Sequence, residues 1–165
     1  MSKLTTFAYR LSGGAGNTVP ANSIGGAMST TAVVNSTDNN LFSDINLTDA
    51  LTGKNYYRCI YLLAGAYSYT QLKTWLSSLT PSPGTKTYFG KGAAGVDGTE
   101  ELVSDEFTAP SGIVFQHPTS ESGGLSLPDM TSGQWHGLWI KLQCSAETEG
   151  ASGDYFRLSI GGVET

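Results

Sequence analysis

The sequence predicts an all-β fold: a single-domain antiparallel β-sandwich of immunoglobulin-like or jelly-roll type, with about seven to nine short strands. Gly is abundant, at 21 of 165 residues, and charged residues make up only 14%, against about 25% in an average soluble domain. Short alternating apolar runs recur between clusters of turn-forming residues. Residues 1–165 fit one domain, long enough to bury about two-thirds of the surface of its unfolded chain.

The stretch from Asn55 to Leu76 is the part around which we expect the fold to be arranged. In its first run, Tyr56, Arg58, Ile60 and Leu62 alternate with Tyr57, Cys59, Tyr61 and Leu63. Because neither face is purely polar, the pattern predicts a central strand covered on both faces. The small residues 64–66 separate it from a second run, 69–76, and this spacing predicts adjacent antiparallel strands.

Residues 134–144 form a second long alternating run, and the pattern from Leu125 to Gly133 introduces this last hairpin. Weaker alternation predicts further strands at residues 4–11, 27–34, 86–90, 113–115 and 155–160. The Gly-rich arm at residues 12–26 has no core-forming run, so it either lies over the sandwich or reaches a neighbour. Leu41, Phe42 and Ile45 have helical spacing and predict a corner with one short helical turn that plugs an end of the core. The polar stretches 80–84 and 145–153 predict a turn and a linker.

An acidic excursion is predicted at residues 92–110, within a longer segment of one charge sign. Seven acidic residues and no Lys or Arg lie between Lys91 and Lys141, so this segment carries −7 while the whole chain carries −5 and the remainder +2. Such a band is either solvated surface or a docking face for a basic partner. The chain has no basic stripe that would neutralise phosphates, so we expect no nucleic-acid partner.

We expect no cofactor and no metal. Gly90, Gly92 and Gly95 match a dinucleotide-binding spacing, but carboxylates follow them where a helix would be required. Asp97, Glu100 and Glu101 could hold a calcium ion through their carboxylate oxygens, but the EF-hand spacing is absent, so we expect these residues to lie in a solvated loop. Cys59 and Cys144 fall in predicted strands, where buried free thiols are expected.

No catalytic residue is predicted, and we expect that the protein is not an enzyme. His136 lies within a predicted strand, and His117 in a loop has no serine elbow near it in sequence. A hydrolase that uses His117 or the carboxylates of residues 97–106 remains an alternative, because a glycosidase needs only two carboxylates. No apolar run reaches the length of a signal peptide or a membrane span, so we expect synthesis in a cytoplasm and no membrane partner.

Four segments together resemble a family of small virion structural proteins of tailed bacteriophages. They are NNLFSDINLTDALTGKNYYRCIYL, TAPSGIVF, GLSLPDMTSGQWHGLWIKL and SGDYFRLSIGG, and they cover most of the chain from about Asn39 to Gly162. The sequence departs from the family pattern at 62–64, where Leu-Leu-Ala replaces Val-Lys-Asn. It departs again at Lys141, which stands alone where the family often has arginines.

The resemblance implies a virion component made in the host cytoplasm, and specifically a capsid decoration (cement) protein on the exterior of the head. Its partners would be the major capsid protein and further copies of itself, as a homotrimer. Exposed aromatic side chains would serve as anchors in such an interface. The candidate interface residues are Tyr56, Arg58, Tyr67, Tyr69 and Trp75.

Two alternatives to this interface remain open. The same tyrosines could complete the core instead of contacting a partner. A β-sandwich with an aromatic face would also suit a tail or receptor-binding module that recognises a host surface saccharide.

Overall fold

The computed structural model describes residues 2–4, 6–80, 82, 84–146 and 154–165, and these form two antiparallel β-sheets packed face to face. The predicted β-sandwich is therefore confirmed. The strands are β1 (Ser2–Lys3), β2 (Ala8–Leu11), β3 (Lys54–Leu63), β4 (Tyr69–Leu79), β5 (Thr85–Val96), β6 (Phe115–Gln116), β7 (Leu125–Ser126), β8 (Trp135–Cys144) and β9 (Phe156–Glu164).

The two sheets differ in size. The smaller sheet has the order β1-β9-β4-β7, and the larger has the order β2-β3-β8-β5-β6. The longest uninterrupted pairing joins β3 to β8, from Lys54 opposite Cys144 to Leu63 opposite Trp135. These are the two strands with the clearest alternation. The middle strand of the five is β8, and β3 lies beside it as an interior strand.

The pairing predicted for residues 55–76 is wrong. Strand β3 belongs to the five-stranded sheet and β4 to the four-stranded sheet, so residues 64–68 cross from one layer to the other. The crossing is tightly packed: a Cβ on Gly65 would lie 2.4 Å from the Thr6 carbonyl oxygen. Alternation identifies a strand, but it does not specify which strand will pair with it.

The main core lies between the two sheets. It is built from fully buried side chains of both layers, including Leu11, Ile60, Leu62, Leu72, Leu76, Phe89, Leu138, Ile140 and Ile160. Burying each such side chain contributes about 1.5–3 kcal/mol. This layer supplies the hydrophobic stabilisation that holds the sheets together.

A second core covers the outer face of the five-stranded sheet. There Tyr57, Cys59, Tyr61 and Trp139 pack under Val103. Ile24, Met28 and Ile113 pack around them. We call residues 12–30 and 97–114 the cover, because these two segments pack over part of this face. The predicted covering of β3 on both faces is therefore present, and the Gly-rich arm lies over the sandwich.

Two predicted strands also need correction. Strand β5 is longer than predicted and continues to Val96, so the acidic excursion begins at Asp97. The segment 27–34 forms only an isolated bridge, from Ala32 to Arg10, although Val33 N also donates to Tyr9 O at 2.8 Å. Both differences arise beside the cover, where contacts outside the local sequence decide the backbone path.

The predicted helical turn occurs later in the chain. Helix α1 spans Leu47–Thr52, after Leu41 and Phe42 rather than over them. Asn46 caps it by accepting a hydrogen bond from Asp49 N, and Gly53 ends it at φ 77°. Leu41 is nevertheless buried in the main core. A 3₁₀ turn spans Pro20–Asn22 in the cover. Most of the predicted linker at 145–153 and both prolines of 80–84 lie outside the described residues.

Candidate functional site

The structure places most of the predicted interface residues inside the single chain. Tyr56, Tyr69 and Trp75 are 7%, 0% and 9% exposed, and Arg58 is fully buried. The expectation that these aromatic side chains are exposed is therefore wrong for all but Tyr67, which is 48% exposed. Only Tyr67 retains the surface position that an anchor requires, and its role in an interface stays a prediction.

Tyr69 is buried because the strand contains a bulge. The pairing of β4 with β9 shifts between Thr70 and Lys73, and Gln71 there has φ 55°. Simple alternation placed Tyr69 opposite Leu72, but the bulge brings both into the main core. The Tyr69 ring lies 4.6 Å from that of Phe7, and its hydroxyl is 2.5 Å from Thr6 Oγ1.

Arg58 holds two loops against β3. Its Nε donates to Leu41 O at 3.0 Å, its Nη1 donates to Tyr57 O at 3.0 Å, and its Nη2 pairs with the Glu106 carboxylate. The guanidinium also lies 5.4 Å from the Phe42 ring. A buried guanidinium with its donors satisfied in this way is a structural group, because its charge and donors are already committed.

Tyr56 fastens helix α1 to the same end of the sandwich. Its hydroxyl donates to Asp49 Oδ2 at 2.6 Å, and Lys54 Nζ lies 3.6 Å from the other oxygen of that carboxylate. The Tyr56 hydrogen bond is the largest of the effects that lower the pKa of Asp49. Burial, reinforced by this carboxylate, raises the pKa of Tyr56. The pair therefore stabilises the protonated phenol beside the ionised carboxylate.

The cover is joined to the sheet by Tyr61 and Glu100. The Tyr61 hydroxyl donates to Gly26 O at 2.7 Å and accepts from Glu100 N at 2.8 Å, so it bridges the arm and the excursion. Burial raises the pKa of Tyr61. The buried Glu100 carboxylate accepts from Ala93 N, Ala94 N and the Trp139 indole at 3.1–3.2 Å. Sequence reasoning assigned Glu100 to a solvated loop and missed this role.

The two histidines occupy different environments. His136 is 1% exposed, and neither ring nitrogen makes a hydrogen bond of ordinary geometry. Burial lowers its pKa below the usual value, while the Gly95 backbone and the Glu100 charge partly oppose that shift. The His117 Nδ1 lies 2.5 Å from Thr87 O, and its ring lies 5.6 Å from that of Tyr88. Among the described residues, no hydrogen bond or ion pair joins either histidine to an acidic side chain.

A basic and aromatic strip lies on the uncovered part of the five-stranded sheet. We define the basic strip as Lys86, Tyr88, His117 and Lys141. Lys141 Nζ is 3.9 Å and Lys86 Nζ 5.4 Å from the centre of the Tyr88 ring. Desolvation lowers the pKa of Lys141. Lys86 and Lys141 lie 55 positions apart in sequence, and the pairing of β5 with β8 brings them together.

Two open depressions mark the surface. The larger, about 570 Å³, is lined by Lys54, Asn55, Phe107 and Gln143 together with residues 144–146. The smaller, about 350 Å³, includes Val114, Gln116 and Leu125. Within the described ranges, no group of three or more His, Cys, Asp or Glu side chains is arranged to hold a metal ion. Cys59 and Cys144 are buried free thiols, as expected.

These features define a two-sheet β-sandwich whose larger sheet is covered over part of its outer face by the chain's own loops. Comparison with models of protein families, with curated proteins and with solved structures finds no match for this chain. The part of the chain that the structure describes contains no helix with the length and apolar character needed to cross a bilayer.

Proposed function

We propose that the chain is a bacteriophage virion structural protein, a capsid decoration (cement) protein that binds the outside of the head and stabilises the contacts between capsomers. Its partners would be the major capsid protein and further copies of itself in a homotrimer. The observation that most supports this role is the second core. A loop-covered sheet with two cores makes a stiff body, and a stiff body loses little conformational freedom when it binds.

The edges of the sandwich favour contact through side chains rather than through added strands. Strands β1, β6 and β7, at three of the four sheet edges, are two residues long. Short edge strands offer few unpaired backbone groups to a neighbouring chain. We therefore propose that exposed side chains make the contact with the shell.

Tyr67 is the anchor we assign from the predicted set. It lies in the crossing between the two sheets, about half exposed. Leu102 and Val114, on the cover, are 65% and 72% exposed. Aromatic and apolar side chains of this kind supply most of the energy of protein interfaces when they become buried.

A second candidate function is a tail or receptor-binding module that recognises a host surface saccharide. It is favoured by the larger depression, which the partly exposed Phe107 lines together with Asn55 and Gln143. Aromatic faces and amide groups suit the apolar and hydroxyl faces of a sugar.

Labelling of intact virions with an antibody against this chain separates the two. The proposal predicts label distributed over the head, whereas label confined to the tail would overturn it in favour of the second candidate. A companion assay mixes the purified chain with capsids that lack it. Tyr67→Ala should weaken binding to the capsids. Tyr155→Ala removes a similarly exposed tyrosine directly before β9 and should leave binding unchanged.

A further inference from the structure

Two lysines of the basic strip have no carboxylate partner among the residues that the structure describes. Lys86 is exposed and Lys141 is partly buried, and both approach the face of Tyr88. The ion pairs among the described residues involve Lys54 and Arg58 instead. Two cations are held on neighbouring strands with no ion pair in the described part of a chain of net charge −5. Such a strip favours an anionic partner.

The acidic excursion of the cover offers the complementary surface. Glu101 and Asp105 are exposed, and internal hydrogen bonds fix both: Glu101 accepts from Ser111 N at 2.7 Å, and Asp105 accepts from Phe107 N at 2.9 Å. Between them lies Leu102, which is largely exposed although it is a large apolar residue. Fixed carboxylates around an exposed leucine form a surface that combines charge with apolar area, as interfaces do.

We propose that the acidic excursion of one copy docks on the basic strip of a second copy. Glu101 and Asp105 of one protomer would pair with Lys86 and Lys141 of its partner, and Leu102 would be buried near the Tyr88 ring. Each copy carries both surfaces, so the contact can repeat until it closes a symmetric assembly. This assignment deepens the proposed homotrimer by naming its interface, but it requires no shell protein.

The energetics favour a moderate, salt-sensitive association. The lysines sit on rigid strands and the carboxylates are already fixed by hydrogen bonds, so little side-chain freedom is lost on docking. The charges at the rim remain near water and are screened, with a Debye length of about 8 Å at physiological ionic strength. Long-range repulsion between two acidic copies opposes the short-range pairing. We therefore expect association only where the concentration of copies is high.

Charge reversal tests this contact in solution. Sedimentation at low ionic strength should show a concentration-dependent oligomer for the wild-type chain. Lys86→Glu with Lys141→Glu should raise the dissociation constant at least tenfold, and so should Glu101→Lys with Asp105→Lys. Mixing the two variants should restore association, because each then presents the charge that the other lacks. The matched control, Lys73→Glu with Arg157→Glu, makes the same change of net charge on the four-stranded sheet. Its dissociation constant should rise much less than that of Lys86→Glu with Lys141→Glu.

A second measurement does not depend on any variant. Carbodiimide joins carboxylates to lysines that touch, and a mixture of ¹⁴N- and ¹⁵N-labelled wild-type chains identifies the links formed between copies. We expect mixed-label links from Lys86 or Lys141 to Glu101 or Asp105. A monomer at all concentrations, or links that avoid these residues, would overturn the proposed interface. Capsid binding by a monomeric chain would leave the decoration role standing, so the two proposals fail separately.

Discussion

Arg58 shows how one buried residue can bring three parts of the chain together. Its guanidinium contacts the Leu41 carbonyl in the corner before α1, the β3 backbone, and Glu106 at the end of the acidic excursion. A charge in this position is stable only while its partners are present, because desolvation costs several kcal/mol per ion. Arg58, which was predicted to lie in an interface, is therefore a buried structural residue that links two loops to β3.

Replacing Arg58 should weaken the fold strongly. We expect Arg58→Ala to lower the free energy of unfolding by about 3 kcal/mol, the lower end of the range for breaking a buried ion pair. The lower end applies because the Glu106 side chain keeps 32% exposure and can be solvated. Chemical denaturation measures the change, with the exposed Arg157→Ala as the control. A loss below about 1 kcal/mol would mean that the pair does not hold the loops.

The Tyr61 hydroxyl should contribute separately from its ring. Tyr61→Phe keeps the ring and leaves Gly26 O and Glu100 N without this partner, so we expect a loss of about 1–3 kcal/mol. Tyr61→Ala also empties a fully buried site and should lose about 3–5 kcal/mol. Tyr155→Phe, at an exposed tyrosine, should stay within about 0.5 kcal/mol. Equal values for Tyr61→Phe and wild type would mean that the bridge carries no net stability.

His136 should make the free energy of unfolding decrease as the pH falls into the acidic range. Its folded-state pKa is lowered by burial, so the unfolded chain takes up a proton first as pH falls below about 6.5. Stability is therefore full above that pH and decreases below it, with a slope of at most about 1.4 kcal/mol per pH unit. Urea unfolding at pH 7.5 and 5.5 should show the loss in wild type and in His117→Gln, but much less of it in His136→Met. An unchanged loss in His136→Met would assign the effect to another group.

Strand β5 explains, at the scale of an element, why the sequence misled. The strand was predicted to end at Gly90 and a loop excursion to begin at Gly92, yet Gly92 lies within a continuous strand that runs to Val96. A Cβ on Gly90 would lie 2.2 Å from Ile113 Cγ2, and one on Gly92 would lie 2.1 Å from Glu100 Oε1. The glycines are required because the cover packs directly on the strand backbone.

The cover should loosen when this close packing is disturbed. Gly92→Ala places a methyl group where the Glu100 carboxylate lies, so Ala93 N, Ala94 N and the Trp139 indole should lose their acceptor. Hydrogen exchange should quicken at Ala93, Ala94 and Gly26, while amides of the β3–β8 ladder stay protected. Gly16→Ala is the control, because its Cβ would point into open space. Uniformly faster exchange across both sheets would contradict a separately attached cover.

The strands were more predictable than their partners or their coverings. Alternation located β3 and β8 nearly to the residue, because their two faces pack against different cores. It could not locate the crossing at 64–68, the bulge at Gln71 or the two neighbouring lysines, Lys86 and Lys141. Each of these features depends on residues far away in sequence. The exposure expected of Tyr56, Tyr69 and Trp75 was wrong for the same reason: an aromatic residue in an alternating run can face either a core or a partner.

At the scale of the whole molecule, the charge is distributed unevenly over a stiff body. The segment between Lys91 and Lys141 carries −7, and the acids within its excursion lie on one face of the larger sheet. The basic strip lies on the uncovered part of that same sheet. A body with two cores, short edges and separated charge is suited to adhesion through side chains, which is the property that the proposed role requires.

The most direct test of that role is a density map of the assembled virion at a resolution that shows strands. The proposal predicts copies of this two-sheet body on the exterior of the head, seated across the junctions between capsomers. Density for the chain at the tail, or a head surface with no such body, would contradict it.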